Sequence, residues 1–308
     1  MTNIYDGIYL QIKEALQQGL LPEDFTPQVE GPESPLPPAK LDVLHLYAAP
    51  KEKLGGDVPG QIGSIFRLAG NGQYEKAYEK CLRLLEKRRY ASLREECENF
   101  VIKNKGGYDR NKIFFFCLEY LALNSPVPEA VKLGMSICSL PQNLSDQVKG
   151  YFDVLGLYEE FTLYAAIAYR RFEDQKKILE LCQKTKGWGR LGALAFLTPH
   201  NATTQNWVFA NAFKECPAPQ LAAISYYKNG FYHKKIQKDN SPEALITLGE
   251  ILSYLMDEDP IPYPFLSLWE GEETLVNYLA LAREKAPEET REICKTLEEK
   301  HQAALLRC

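Results

Sequence analysis

The chain has 308 residues, 45% hydrophobic and 25% charged, with a formal net charge of −5. That length exceeds the usual single-domain size of roughly 100 to 150 residues, and the composition excludes a disordered, collagen-like or membrane-spanning chain. The acidity speaks against general affinity for nucleic acid, which depends on neutralising several phosphates.

At the start, residues 1–6 show no basic stretch leading into an apolar run, so no secretory signal is expected. Apolar residues at Ile4, Ile8, Ile12 and Leu16 predict an amphipathic helix over 4–21. Six prolines between Pro22 and Pro38 then break it, and this stretch reads as an extended linker or a strap laid along the body. It holds two PxxP patterns, Pro32-Glu33-Ser34-Pro35 and Pro35-Leu36-Pro37-Pro38, of the kind that polyproline-reading grooves accept. A second run of breakers covers 50–63. The domain expectation is a helix over 1–21, a proline- and glycine-rich linker or strap over 22–60, and a helical array over 61–308.

Helical stripes follow one another from there. Tyr74, Ala77, Tyr78, Cys81, Leu84 and Leu85 recur at three- and four-residue spacing, as do Leu93, Cys97, Phe100 and Val101. Further helices are expected at 113–123, after Pro128, and at 144–155, 161–169, 178–182, 191–197, 207–213, 221–227, 245–255 and 275–282. The apolar run 113–123 contains Glu119 and falls short of the ~20 residues of a bilayer span. No window alternates as a half-buried strand does. Turn signals such as Lys105-Gly106-Gly107, Pro126-Val127-Pro128 and Pro217-Ala218-Pro219 recur every ~15 to 25 residues, and a long series of short antiparallel helices marks an α-solenoid.

The most particular segment is 174–227. A charged helix ending Leu179-Glu180-Leu181 leads into Lys186-Gly187-Trp188-Gly189-Arg190, an apolar helix, and Asn206-Trp207-Val208-Phe209. It resembles HEAT-like (armadillo-type) repeat proteins, in which a glycine-tryptophan-glycine-basic turn opens one helix and a tryptophan opens the next. Ala212 and Glu215 stand where that pattern has glycine and asparagine. Residues 70–81, with Tyr74 and Ala77 in packing positions, resemble the second helix of a tetratricopeptide unit. Both resemblances imply an all-α fold, a right-handed α-α superhelix of antiparallel helix pairs, acting as a non-enzymatic scaffold for a protein or peptide partner.

Trp188, Arg190, Trp207, Tyr226, Tyr227 and Lys228 gather amphipathic rings and cations within one or two repeats, as recognition surfaces do, although tryptophans there also serve as core wedges. Arg83, Lys87, Arg88, Arg89 and Arg94 form a basic patch beside Tyr90. The competing reading uses that patch and the rest of 83–112 to bind nucleic acid, as HEAT-like DNA glycosylases do; the bland one is a solvated helix end. Gly187, Gly189 and Gly192 fit the GxGxxG spacing, but a charged helix precedes them where a dinucleotide site needs a buried strand, so they read as a helix cap. His45, His200, His233 and His301 are scattered, and the eight cysteines show no CxxC and sit mostly at apolar helical positions, as free thiols in a reducing, cytoplasmic setting do. No catalytic residue, metal, cofactor, membrane or nucleic-acid partner is expected. Charge is uneven along the chain: 76–112 is rich in Lys and Arg, while 241–300 holds fourteen Asp and Glu against five Lys and Arg.

Overall fold

The computed structural model describes residues 6–31, 35–48, 56–103, 108–141, 143–198, 201–257, 259, 261, 263–268, 270–285 and 288–305. The fold is all-α, and the described residues contain no strand beyond a single bridge between Gln17 and Leu20. None of their helices is long and apolar enough to cross a membrane. The chain divides into two compact units, 1–197 and 198–308.

Unit 1 contains α1 (Ile8–Ala15), α2 (Lys40–Ala48), α3 (Val58–Gly70), α4 (Tyr74–Leu85), α5 (Tyr90–Lys103) and α6 (Arg110–Phe115), which runs on into a π-helix (Phe116–Leu123). There follow α7 (Pro128–Cys138), α8 (Asp146–Leu155), α9 (Glu159–Arg171), α10 (Gln175–Lys184) and α11 (Gly187–Leu194). Side-chain oxygens of Asp109, Ser145 and Asp174 accept from the first-turn amides of α6, α8 and α10, which satisfies donors that have no intrahelical partner. The prolines at 59 and 128 sit in first turns, where the missing N–H costs nothing, so they start helices instead of breaking them.

Neighbours in space alternate along the chain: α3 packs on α5, α5 on α7, α7 on α9 and α9 on α11, while α4, the π-helix, α8 and α10 lie against members of that row. α1 rests on α8 and the π-helix, and α2 on α11. Gly134 lets the wide π-helical backbone approach α7, since a β-carbon there would lie 2.6 Å from the Cys117 carbonyl oxygen.

The N-terminal helix is shorter than its apolar spacing predicts. It stops at Ala15, and Gln18 and Gly19 turn the chain through positive φ angles of 51° and 79°. The described part of the proline-rich stretch before Pro32 lies along the body as a strap: Pro27 is buried, the Gln28 amide donates to Gln11 Oε1 at 2.7 Å and the Glu30 amide to the Pro126 carbonyl at 2.9 Å. The first PxxP pattern lies largely outside the described residues, as do Lys105-Gly106-Gly107, His200 and Cys308. α2 lies within the expected linker 22–60, between its two breaker-rich stretches, and α3 starts inside the second.

Unit 2 contains α12 (Ala202–Asn211), α13 (Pro219–Lys228), α14 (Phe231–Lys238), α15 (Pro242–Leu255), a short 3-10 turn (Phe265–Ser267), α16 (Gly271–Lys285) and α17 (Glu288–Leu305). α15 packs against α13, α14, α16 and α17. The core of unit 2 sets aromatic rings against the aliphatic face of α15: Tyr226, Tyr227, Phe231, Tyr232, Phe265 and Tyr278 are buried with Leu245, Leu248, Ile251, Leu252 and Leu255, and Tyr227 meets Phe265 edge-on at 5.2 Å.

Candidate functional site

Four helices of unit 1, α5, α7, α9 and α11, begin on one open groove of about 1580 Å³. One wall is the strap, with Glu23, Phe25, Pro27 and Glu30 among its lining residues; the other is made of residues 86–89, 127–129, 157–160 and 183–186. Each helix start carries unsatisfied amides and roughly half a positive charge. Neighbouring helices satisfy much of this. Glu129, in the first turn of α7, accepts from the Tyr90 amide at the head of α5 at 2.5 Å. Glu159, at the head of α9, accepts from the amides of Trp188 and Gly189 at the head of α11. Glu160 accepts from the Ala39 amide, just before α2, at 2.5 Å.

Behind the groove Lys132 is wholly buried, its Nζ 2.7 Å from Asp42 Oδ2, 2.7 Å from Glu129 Oε1 and 2.5 Å from Glu160 Oε1. The hydroxyl of Tyr164 donates to Asp42 Oδ2 at 3.1 Å. The three carboxylate oxygens lie within 4.8 Å of one another, close enough to share a cation, and the Lys132 ammonium is that cation. Burial opposes its charge, but the three carboxylates outweigh burial and hold its pKa above the ordinary lysine value. One ammonium thus joins α2, α7 and α9, and through Glu129 also α5. Glu159 differs: burial raises its pKa even though two amides and Arg190 favour the charged form.

The glycine pattern at 187–192 now has a local cause. Gly187 takes a positive φ of 55° as it enters α11. At Gly189 a β-carbon would lie 2.8 Å from both Glu159 Cα and Thr162 Oγ1, and at Gly192 3.0 Å from Leu163 Cβ. These glycines admit helix α9 and its carboxylate, where a dinucleotide fold would admit a pyrophosphate.

Of the residues singled out by sequence, Arg190, Lys87, Arg88 and Arg89 line this groove. Arg190 Nε donates to the Thr185 carbonyl at 2.8 Å. Trp188 is buried, with Lys40 Nζ 5.4 Å from its ring. Arg83 pairs with Glu79 and Arg94 with Glu98, and neither lines the groove. Trp207, Tyr226, Tyr227 and Lys228 belong to unit 2. There Trp207 is half-buried, Tyr226 and Tyr227 lie in the aromatic core because all of 220–227 is buried, and Lys228 is exposed over the Tyr263 ring. The sequence reading overlooked Lys132, Asp42, Glu129, Glu159 and Glu160. The only local trace is the Glu129–Lys132 spacing, which places both on one face of α7.

No protein-family profile, curated protein or solved structure matches the chain.

Proposed function

We propose that the chain is a non-enzymatic scaffold of the HEAT-like, α-solenoid kind, whose unit 1 receives a protein or peptide segment in the groove beside its strap. The observation that carries this reading is the groove itself: four helix starts in a row, walled by an extended segment of the same chain. The contact order α3, α5, α7, α9, α11, with the other helices set against that row, is what a stack of helical hairpins produces and supports the solenoid reading. Engagement of Glu129, Glu159 and Glu160 by amides and Lys132 supports binding over catalysis, because these carboxylates serve the fold. The seven described cysteines are free thiols, in keeping with a cytoplasmic protein.

The test is selection of a random peptide library on the full-length chain, followed by rebinding to Thr26→Trp/Gln183→Trp. Both residues are exposed on the groove walls, so the double substitution narrows the groove with little expected effect on folding. Selected peptides should lose binding to this variant while its melting temperature stays near that of the parent. Peptides that bind both proteins equally, or failure to select any, would overturn the reading.

A further inference from the structure

Resting on that reading, we infer that the segment received by the groove is an extended acidic stretch of a partner protein. Charge complementarity carries the argument. Six carboxylates line the groove: Glu129, Glu159 and Glu160 are held by intramolecular donors, Glu23 of the strap sits 2.5 Å from Lys186, and Glu30 and Glu86 complete the set. The cations are less occupied. Lys87, Arg89 and Lys184 line the groove, are exposed, and make no ion pair among the described residues.

The strap supplies an internal precedent for what such a surface accepts. Between Lys13 and Lys40 the chain contains no Lys or Arg, yet it carries Glu14, Glu23, Asp24, Glu30 and Glu33 among its prolines. The described part of this acidic, extended segment already lies along the groove. Glu23 meets Lys186, Phe25 stands edge-on to Tyr158 at 6.0 Å, and the Glu30 amide bonds to the Pro126 carbonyl. A partner with the same chemistry, spaced carboxylates on a proline-stiffened backbone with an aromatic residue, fits beside it against Lys87 and Arg89 at one end and Lys184 at the other. Proline pre-extends such a ligand and lowers the entropy lost on docking.

The experiment is fluorescence anisotropy on the full-length chain with a labelled peptide of about twelve residues built from Glu, Asp, Pro and Phe, ~40 Å when extended. A peptide with Lys in place of each acid and a duplex oligonucleotide serve as comparators. The acidic peptide should bind, weaken about tenfold as salt rises from about 50 to about 300 mM, and displace library-selected ligands. Lys87→Ala/Arg89→Ala/Lys184→Ala should reduce its affinity about tenfold or more with an unchanged melting temperature, since all three side chains are exposed. Equal binding of the lysine peptide, equal binding by the triple variant, or tighter binding of the duplex would each overturn the inference. Non-acidic ligands that the Thr26→Trp/Gln183→Trp variant rejects would sink the acidic chemistry and leave the groove standing. Ligands indifferent to that variant would sink both.

Discussion

Deep in unit 1 an ammonium and three carboxylates share a space nearly closed to solvent, whereas the same depth of unit 2 is filled by the rings of Tyr232, Tyr278 and Phe265. The two solutions secure different things. The charge-assisted hydrogen bonds of the ammonium are directional and need contact distance, so Lys132 fixes where α2, α7 and α9 meet, but desolvating four charges offsets much of the attraction gained. Apolar burial is non-directional and favourable in proportion to area, so unit 2 gains cohesion with fewer positional constraints. Unit 1 also hides five thiols, Cys81, Cys97, Cys117, Cys138 and Cys182, against Cys294 among the described residues of unit 2.

The strongest way to separate the two regions is alkaline pH. Burial pushes the Cys81 and Cys182 thiols up to about 12, so above the ordinary value of about 8.5 the unfolded chain releases protons that the folded one keeps. Their contribution is complete below about pH 8.5 and drains away as pH rises towards 12, at about 1.4 kcal/mol per pH unit for each thiol. Hydrogen exchange followed by mass spectrometry should show protection falling in 74–194 well before 242–297; simultaneous loss would contradict the contrast.

Lys132→Ala at neutral pH comes next. It strands Asp42, Glu129 and Glu160 together without a cation, and removing one partner of a buried cluster costs about 3–5 kcal/mol, which urea denaturation will read. A loss below about 1 kcal/mol would mean that water already reaches the carboxylates.

Gly189→Ala should cost about 1–3 kcal/mol, because the new methyl group meets the backbone of α9, which cannot yield as a flexible side chain does. A variant as stable as the parent would show that α9 and α11 slide freely.

These expectations also mark what was legible in the sequence. Amphipathic stripes gave most helices, because each presents one apolar face at regular spacing. α2 escaped because it lies between breaker-rich stretches, α3 because Pro59, Gly60 and Gly63 look like breakers when the first merely starts a helix and Gly63 makes room for Phe100. α17 escaped because so much of it is charged. Lys87, Arg88 and Arg89 stood out within the basic patch and Arg190 beside Trp188, but only tertiary packing could place them on one groove. The caps were out of reach for the same reason: Glu129 and Tyr90 are 39 residues apart, Glu160 and Ala39 121.

Within unit 2, two tyrosines offer a smaller and two-sided test. The Tyr278 hydroxyl donates to the Leu245 carbonyl at 2.8 Å, so Tyr278→Phe should lose about 1 kcal/mol. The Tyr232 hydroxyl is buried with no partner among the described residues, so Tyr232→Phe should be neutral or stabilising by up to about 1 kcal/mol. Equal destabilisation by both would point to a water bound at Tyr232.

The smallest effect is expected at Asp239, whose carboxyl is held down to about 2, first by its hydrogen bond to Lys235 and then by Ser241. Its contribution is present above about pH 4 and fades as pH falls through 2. Because the pair is partly exposed, Asp239→Asn should shift stability by less than about 0.5 kcal/mol.

The capping of one helix by its neighbour bears on how unit 1 can change length. In an array whose hairpins carry their own caps, a pair of helices can be excised and the ends rejoined with each remaining hairpin intact. Here α9 closes α11 through Glu159, α7 closes α5 through Glu129, and Glu160 closes the entry to α2. Cutting out α9 and α10 would leave the amides of Trp188, Gly189 and Ala39 without acceptors and take one carboxylate from Lys132. Removing a helix pair from within α5 to α11 should therefore unfold unit 1, and this stretch should unfold as one cooperative block.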